Sequence, residues 1–391
     1  MSSDAALRAV IRGWRDRVHT ELHERVLPFW VRFGLDRECG GYRDHLDRDG
    51  APFDSKKHIG LQAQALWVWS RLTADIERRP EWLAAAQTGA RFLLEHARGR
   101  DGSVFATTTR EGLPVQYAAG PREGLFTATA LCEFAKASGA ASALDDARAS
   151  LELALGAARA ANTTRLAGAP ATSELDTVTL ALDALDSFER IAPGAALPQT
   201  REWLARLALH VRPELDLLLE NVALDGRVLD GPEGRLVSPG RWLVAARQLF
   251  EHAERAGDTR GVEQALGAME SALDYGWDGD EGGLYLYLDR ENYSPVQIEW
   301  SRKLAWVHGA ALVATLTAYT HTHAPRWLER FEQVADYTFN YFPDVDQGEW
   351  FASLDRRNRV SQRFKAGPRK GGYAVARSLL RCEQLMAQLL G

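Results

Sequence analysis

The sequence predicts an all-α fold, a closed toroid of helix hairpins with short β-hairpins in the connecting loops. Three observations carry this expectation. Most of the 391 residues fall in Ala-, Leu-, Arg- and Glu-rich segments with apolar residues three and four positions apart, the spacing of one helix face. A phrase of acidic residues, glycine and alternating aromatic or apolar residues recurs between those segments, as small turn-closed hairpins do. No Pro/Gly/Ser-rich linker divides the chain, so residues 1–391 are expected to form one domain.

Taken in chain order, the helical pattern is clearest in EWLAAAQTGARFLLEHAR (81–98), ALDDARASLELALGAARAA (143–161), TREWLARLALHV (200–211) and RGVEQALGAMESALDYG (260–276). The recurring phrase occurs as DRECGGYRDHLDRDG (36–50), GRDGSVFATTTREG (99–112), DGDEGGLYLYLDREN (278–292) and DVDQGEWFASLDRRN (344–358). Repeated units of helix pair plus hairpin stack side by side and close into an (α/α) barrel, whose inner helices line a central cleft.

Composition excludes several classes. Hydrophobic content of 46% with 26% charged residues is that of a soluble globular chain long enough to bury a large core. A formal charge of −6 without a Lys/Arg run argues against nucleic acid as a partner. The first 26 residues mix charges throughout and lack a signal-peptide core, and no apolar run approaches the roughly 20 residues of a membrane helix. A cytoplasmic protein with no membrane partner is expected. Cys39, Cys132 and Cys382 are far apart, which suits free thiols. His321-x-His323 lacks neighbouring Cys or Asp partners, so neither metal nor cofactor is expected.

Specific motifs narrow the reading. Near the start stands RVLPFWVRFGLDRECGGYRDHLDRDGAPFDSKKHIGLQAQALWVWSRL; the middle holds Pro239-Gly240-Arg241; the end holds Trp306-Val307-His308-Gly309-Ala310 and Lys370-Gly371-Gly372-Tyr373-Ala374-Val375-Ala376-Arg377. In this order they resemble the N-acylglucosamine 2-epimerase family, which includes cellobiose 2-epimerases and aldose–ketose isomerases. The resemblance runs over nearly the whole chain. It implies an (α/α)6 barrel, a sugar or sugar derivative as small-molecule substrate, and a homodimer.

The family's reaction opens a sugar ring and moves the proton beside the carbonyl, using two histidines on opposite faces of that carbon. By motif alignment those positions hold Arg241 and Ala374 here. Ala374 transfers no proton, and a guanidinium is a poor general base. Other family positions differ too: a Gln-x-Arg is Gln62-Ala63-Gln64, and the Glu after Pro-Gly-His is Val244.

The remaining catalytic candidates are His308, Glu299 and Asp176. His308 occupies a family His/Gln position; its alternative is a hydrogen-bonded inner-helix histidine. Glu299 is otherwise a structural carboxylate tied to Arg302 or Lys303. Asp176 with Glu174 is otherwise an acidic helix start. Substrate binding falls to Gln64, Trp67, Glu123 and Trp306, together with Arg241, Arg247, Lys370 and Tyr373. Arg241, Arg247, Arg369 and Lys370 together would make a cationic pocket suited to an anionic substrate. The leading expectation is an epimerase or isomerase with a remodelled site. Two alternatives stay open: a different enzyme on the same barrel taking an anionic substrate, and a sugar-binding or regulatory protein without turnover.

Overall fold

The structure, a computed structural model, describes residues 3–161, 171–368 and 370–391. Among them, twelve long helices form the barrel. They are α1 (Ser3–Thr20), α2 (Ile59–Asp75), α3 (Pro80–His96), α4 (Arg122–Ser138), α5 (Ala141–Ala161), α6 (Leu175–Glu189), α7 (Leu197–Ala208), α8 (Pro239–Ala256), α9 (Thr259–Gly276), α10 (Ala305–Thr322), α11 (Pro325–Tyr341) and α12 (Tyr373–Leu390). The even-numbered helices form the inner ring: α2 packs on α4, α4 on α6, α6 on α8, α8 on α10, α10 on α12, and α12 returns to α2. The odd-numbered helices pack outside, and α1 lies against α12 where the ring closes. This is the expected helical toroid.

The two rings differ in chemistry because they differ in burial. Outer helix α11 buries one stripe, including Trp327, Phe331, Val334 and Thr338, and shows water the rest. Inner helix α10 is apolar nearly all round and buries Val307, His308, Ala311, Leu312, Thr315 and Leu316 among others. Its neighbours on both sides are helices, so no polar face is needed. The buried side chains form one large core cluster that runs through every helix pair, and a small satellite of Phe29, Leu46 and Ala366.

Short strands gather at the ends where the inner helices begin: β1 (Lys57–His58), β2 (Phe105–Thr108), β3 (Pro114–Tyr117), β4 (Thr172–Glu174), β5 (Val211–Arg212), β6 (Leu217–Leu218), β7 (Asn221–Ala223), β8 (Leu236–Val237), β9 (Leu288–Asp289), β10 (Lys303–Leu304) and β11 (Ser353–Leu354). All pairings between them are antiparallel: β1–β2–β3, β4–β7, β5–β6, β8–β9 and β10–β11. The four recurring phrases are therefore not all self-contained hairpins. Only the second contributes to one, β2–β3; β9 and β11 pair instead with β8 and β10, the strands that lead into inner helices. Each phrase adjoins a turn closed by a single bridge: Leu35↔Tyr42, Arg98↔Val104, Trp277↔Leu284 and Pro343↔Trp350.

Three of these turns share one construction. Asp36, Asp278 and Asp344 begin them and accept backbone N–H groups two residues on, the Asx-turn bond. Each aspartate also pairs with a buried lysine from further along the chain: Lys57–Asp36 at 3.0 Å, Lys303–Asp278 at 3.0 Å and Lys365–Asp344 at 2.9 Å. All six side chains are at most 2% exposed. Lys57 and Lys303 stand two residues before α2 and α10, so the pairs fasten the turn after an outer helix to the entry of an inner one. Gly41 follows the first of these aspartates with φ +65°, a conformation other residues adopt only with strain.

Candidate active site

Because short strands or turns deliver each inner helix to the same end of the barrel, the first turns of the six helices form a ring around the cleft. Partly exposed side chains there include Glu123 on α4, Asp176 on α6, Arg241 on α8, Trp306 on α10 and Ala374 on α12, with Gln64 in the second turn of α2. Gly240 permits the close packing of two of these helices, since a Cβ there would meet the Trp306 ring at 2.7 Å. Gln62, two residues before Gln64 and so on another face of α2, is fully buried; it donates to the Tyr42 carbonyl and Asp44 and accepts from the Tyr42 N–H, so it anchors the rim rather than facing the cleft.

Half of the ring is charged. Arg241 Nε donates to Asp176 Oδ1 at 3.2 Å, and its Nη1 donates to Glu220 Oε1 at 2.6 Å and lies 3.5 Å from the Tyr287 hydroxyl. Arg122 donates to the other oxygen of Asp176. Burial alone would raise the Asp176 pKa, but Arg241 and Arg122 outweigh it and hold the carboxylate below its usual range. Glu220 goes the other way: burial, reinforced by Asp176, raises its pKa despite Arg241. Its second oxygen is buried without a hydrogen-bond partner among the described residues. Glu123 is also raised, chiefly by burial.

The other half is neutral: Trp306, Ala374 and Gln64. Beside it lies an apolar cavity of about 30 Å³ between α2 and α12, lined by Trp30, Leu61, Gln64, Ala65 and Tyr373 among others. Below the ring, Asp183 receives both Arg377 donors at 2.9 and 3.0 Å, with Arg247 at 3.9 Å, and Arg377 also donates to the Tyr373 hydroxyl at 2.5 Å. This cluster cross-links α6, α8 and α12 beneath the cleft.

Several sequence-based expectations need correction. His308 is fully buried, its Nδ1 2.8 Å from the Leu304 carbonyl and its Nε2 accepting from the Leu284 N–H at 2.9 Å. Both ring nitrogens are committed, and burial depresses its pKa to about 4, so it holds the strand-to-helix junction and is no proton carrier for a ligand. Glu299 sits on the β9–β10 loop, not on an inner helix, and pairs with Arg302 at 3.2 Å. Lys370 is buried and donates to Glu349 at 3.2 Å and to the Trp350 carbonyl at 2.6 Å. Trp67 is 7% exposed, its ring packed on Tyr373 at 5.1 Å and capped by Arg71 and Arg377. It supports the floor and offers no stacking face.

The cationic pocket does not form among the described residues; Arg369 lies outside them. Arg241 is answered by Asp176 and Glu220, Arg247 by Glu251 at 2.6 Å, and Lys370 by Glu349. At the mouth, Arg122 and Arg241 face Glu123, Asp176 and Glu220. Sequence reasoning missed Arg122, Glu220, Tyr287 and Asp183. Tyr287 stood within the alternating aromatic phrase and Glu220 before the Pro-Gly segment, but no local pattern tied either to Arg241.

Comparison with known proteins agrees with this architecture. The profile described as N-acylglucosamine 2-epimerase (GlcNAc 2-epimerase) matches residues 40–177 and 199–371. The chain belongs to the N-acylglucosamine 2-epimerase family. It is 34% identical to the N-acylglucosamine 2-epimerase of Bos taurus over 394 residues, covering 97% of this chain and 93% of that one. Identity to the Homo sapiens protein of the same name is also 34%, covering 98% and 92%. Among solved structures, the cellobiose 2-epimerase of Spirochaeta thermophila DSM 6192 superposes with a TM-score of 0.82 over 100% of both chains at 21% identity. That of Bacillus thermoamylovorans B4167 gives 0.82 over 95% and 99% at 19%. The fold is thus the (α/α)6 barrel of these family members. No described helix is long and apolar enough to cross a membrane.

Proposed function

We propose that the protein is an aldose–ketose isomerase acting on a neutral sugar, or a close sugar analogue, in the central cleft, with a remodelled active site. One observation carries this reading: the groups able to carry a proton stand on one side of the mouth, at Glu123, Asp176 and Glu220, opposite the neutral wall of Trp306, Ala374 and Gln64. Epimerisation at C2 requires removing a proton from one face and returning one to the other. Isomerisation requires only one face, because the proton taken from C2 of the open-chain aldose returns to C1 of the enediol while a hydroxyl proton passes from O2 to O1. Neutrality of the substrate is supported by the paired state of Arg122, Arg241 and Arg247, which leaves none of these cations unanswered for an anionic group.

In this scheme Glu123 is the base. Its burial raises its proton affinity above that of an ordinary carboxylate, which strengthens it as a general base. Asp176, proposed from sequence as catalytic, becomes the positioning residue for Arg241 and Arg122, since two guanidinium partners make it a weak base. Arg241 has donors left to polarise the carbonyl oxygen, and Trp306 and Gln64 offer the sugar an aromatic face and an amide.

Incubation with mannose, glucose, N-acetylglucosamine and cellobiose in D2O, followed by NMR, tests this. Ketose formation with exchange of the C2 proton, lost in Glu123→Gln, is expected. A C2 epimer without ketose would overturn the one-sided mechanism. Ala374 also favours a second reading, a sugar binder without turnover; thermal stabilisation by a sugar with no exchange would establish it.

A further inference from the structure

Among the described residues, one group of side chains far from the cleft brings metal-ligand atoms together. His19 and His23 stand one turn apart on the continuous helix that begins as α1, and Glu383 comes from α12. His19 Nδ1 lies 2.5 Å from Glu383 Oε1, and His23 Nε2 lies 3.1 Å from Oε2. The imidazole rings are 4.4 Å apart, and one ligand atom from each residue falls within 4.8 Å of the others. Glu383 is ten residues beyond the start of α12, about 15 Å along its axis at 1.5 Å per residue, so the group is separate from the mouth ring.

We propose that His19, His23 and Glu383 form a binding site for a divalent transition-metal ion that bridges α1 and α12. Spacing of i and i+4 places two imidazoles on one helix face, and the carboxylate meets them from the facing helix. Two nitrogen donors and one carboxylate suit Zn²⁺, Co²⁺ or Ni²⁺, whereas Mg²⁺ and Ca²⁺ favour all-oxygen shells. Neutral imidazoles serve the group in two ways. With the protons on His19 Nδ1 and His23 Nε2, the rings donate to the carboxylate. With the protons on the other nitrogens, two lone pairs face a carboxylate, an arrangement that needs a cation between them. The ion therefore replaces the two hydrogen bonds through a change of tautomer and needs no ionisation of a ligand. His19 is 55% exposed on its side chain, so water has access for a fourth coordination position.

An ion here ties the first outer helix to the last inner one, where the ring closes. Because the ligands converge only in the folded chain, binding raises stability with ion concentration. The test is titration of chelator-treated full-length protein with Co²⁺, Zn²⁺ and Mg²⁺, reading Co²⁺ visible absorption and thermal midpoint. Saturation at one Co²⁺ per chain and a higher midpoint with Zn²⁺ are expected, with no response to Mg²⁺. Glu383→Gln keeps hydrogen bonds to both imidazoles while removing the anionic ligand, and should bind at least about tenfold more weakly, since changes beyond the ligand shell alone reach that size. His23→Gln should do the same. His45→Gln, on a histidine at the rim near His58, should bind like the wild type. No saturable binding up to millimolar ion, or equal binding by the wild type and both site variants, would overturn the proposal.

Discussion

Replacing Arg241 by alanine strands Glu220, and the size and pH dependence of the loss follow from the geometry. Arg241 is about a fifth exposed and donates to Glu220 at 2.6 Å; Glu220 is 6% exposed and has one oxygen already without a hydrogen-bond partner. Asp176 keeps Arg122, so one buried carboxylate, not two, loses its partner. Breaking a buried pair costs roughly 3–5 kcal/mol, and the residual solvent around Arg241 places this case near about 3 kcal/mol. That is a little over two decades in the folding equilibrium. In the wild type the Glu220 carboxyl already sits above its ordinary 4.5, and removing Arg241 pushes it further up. A carboxyl raised by folding stabilises the fold below its unfolded pKa and loses that contribution as pH rises through the folded one. The deficit of the variant should therefore be largest at and above neutral pH and shrink on acidification toward pH 4.5. Urea unfolding of both proteins across that range measures it. A deficit that does not change with pH, or a variant as stable as the wild type, would refute the view that Glu220 depends on Arg241.

Other outcomes follow from the same structure. His308 and His210, both buried with pKa values depressed to about 4 from 6.5, hold stability that is complete above pH 6.5 and falls away toward pH 4, by about 3 kcal/mol each; His308→Gln should flatten the pH dependence of the urea midpoint. Lys303→Met should lower stability by roughly 3–5 kcal/mol by leaving Asp278 buried and unpaired, while Lys303→Met with Asp278→Leu should recover much of it, as chemical denaturation can show. The double variant R241H/A374H places a histidine at each of the two positions that the motif alignment matches to the family histidines, and should form C2 epimer in D2O, read by NMR, where the wild type should form ketose without epimer. Glu123→Gln should reduce isomerisation at least about a hundredfold, the usual weight of a general base, with little change in sugar-dependent thermal stabilisation.

The fold was legible in the sequence, but unevenly. The four segments with the clearest helical period, 81–98, 143–161, 200–211 and 260–276, largely coincide with α3, α5, α7 and α9, all outer helices. Outer helices have one wet face and so display the period; α10, surrounded by helices, does not. The inner ring showed itself through motifs such as Pro239-Gly240 and Lys370-Gly371, which also located Arg241 and Ala374 on the mouth. What motifs could not supply was partnership. Arg122 meets Asp176 across 54 positions and Glu220 meets Arg241 across 21, separations at which no local pattern registers. The same gap turned His308 into a catalytic expectation, because its partners, Leu284 and Leu304, use backbone atoms that side-chain identity does not reveal.

The three buried Asp–Lys pairs have a consequence for how such a protein changes over time. Asp36, Asp278 and Asp344, with Lys57, Lys303 and Lys365, align the entries to the barrel, and none of them belongs to the mouth ring. Scaffold and reagents are therefore encoded by separate residues. Substitutions at Gln64, Arg241 or Ala374 would change side chains at the mouth while the fastenings that shape it stay intact. A lineage can rewrite its chemistry on such a frame one side chain at a time, and still present a whole-chain likeness to relatives whose reagents it no longer carries.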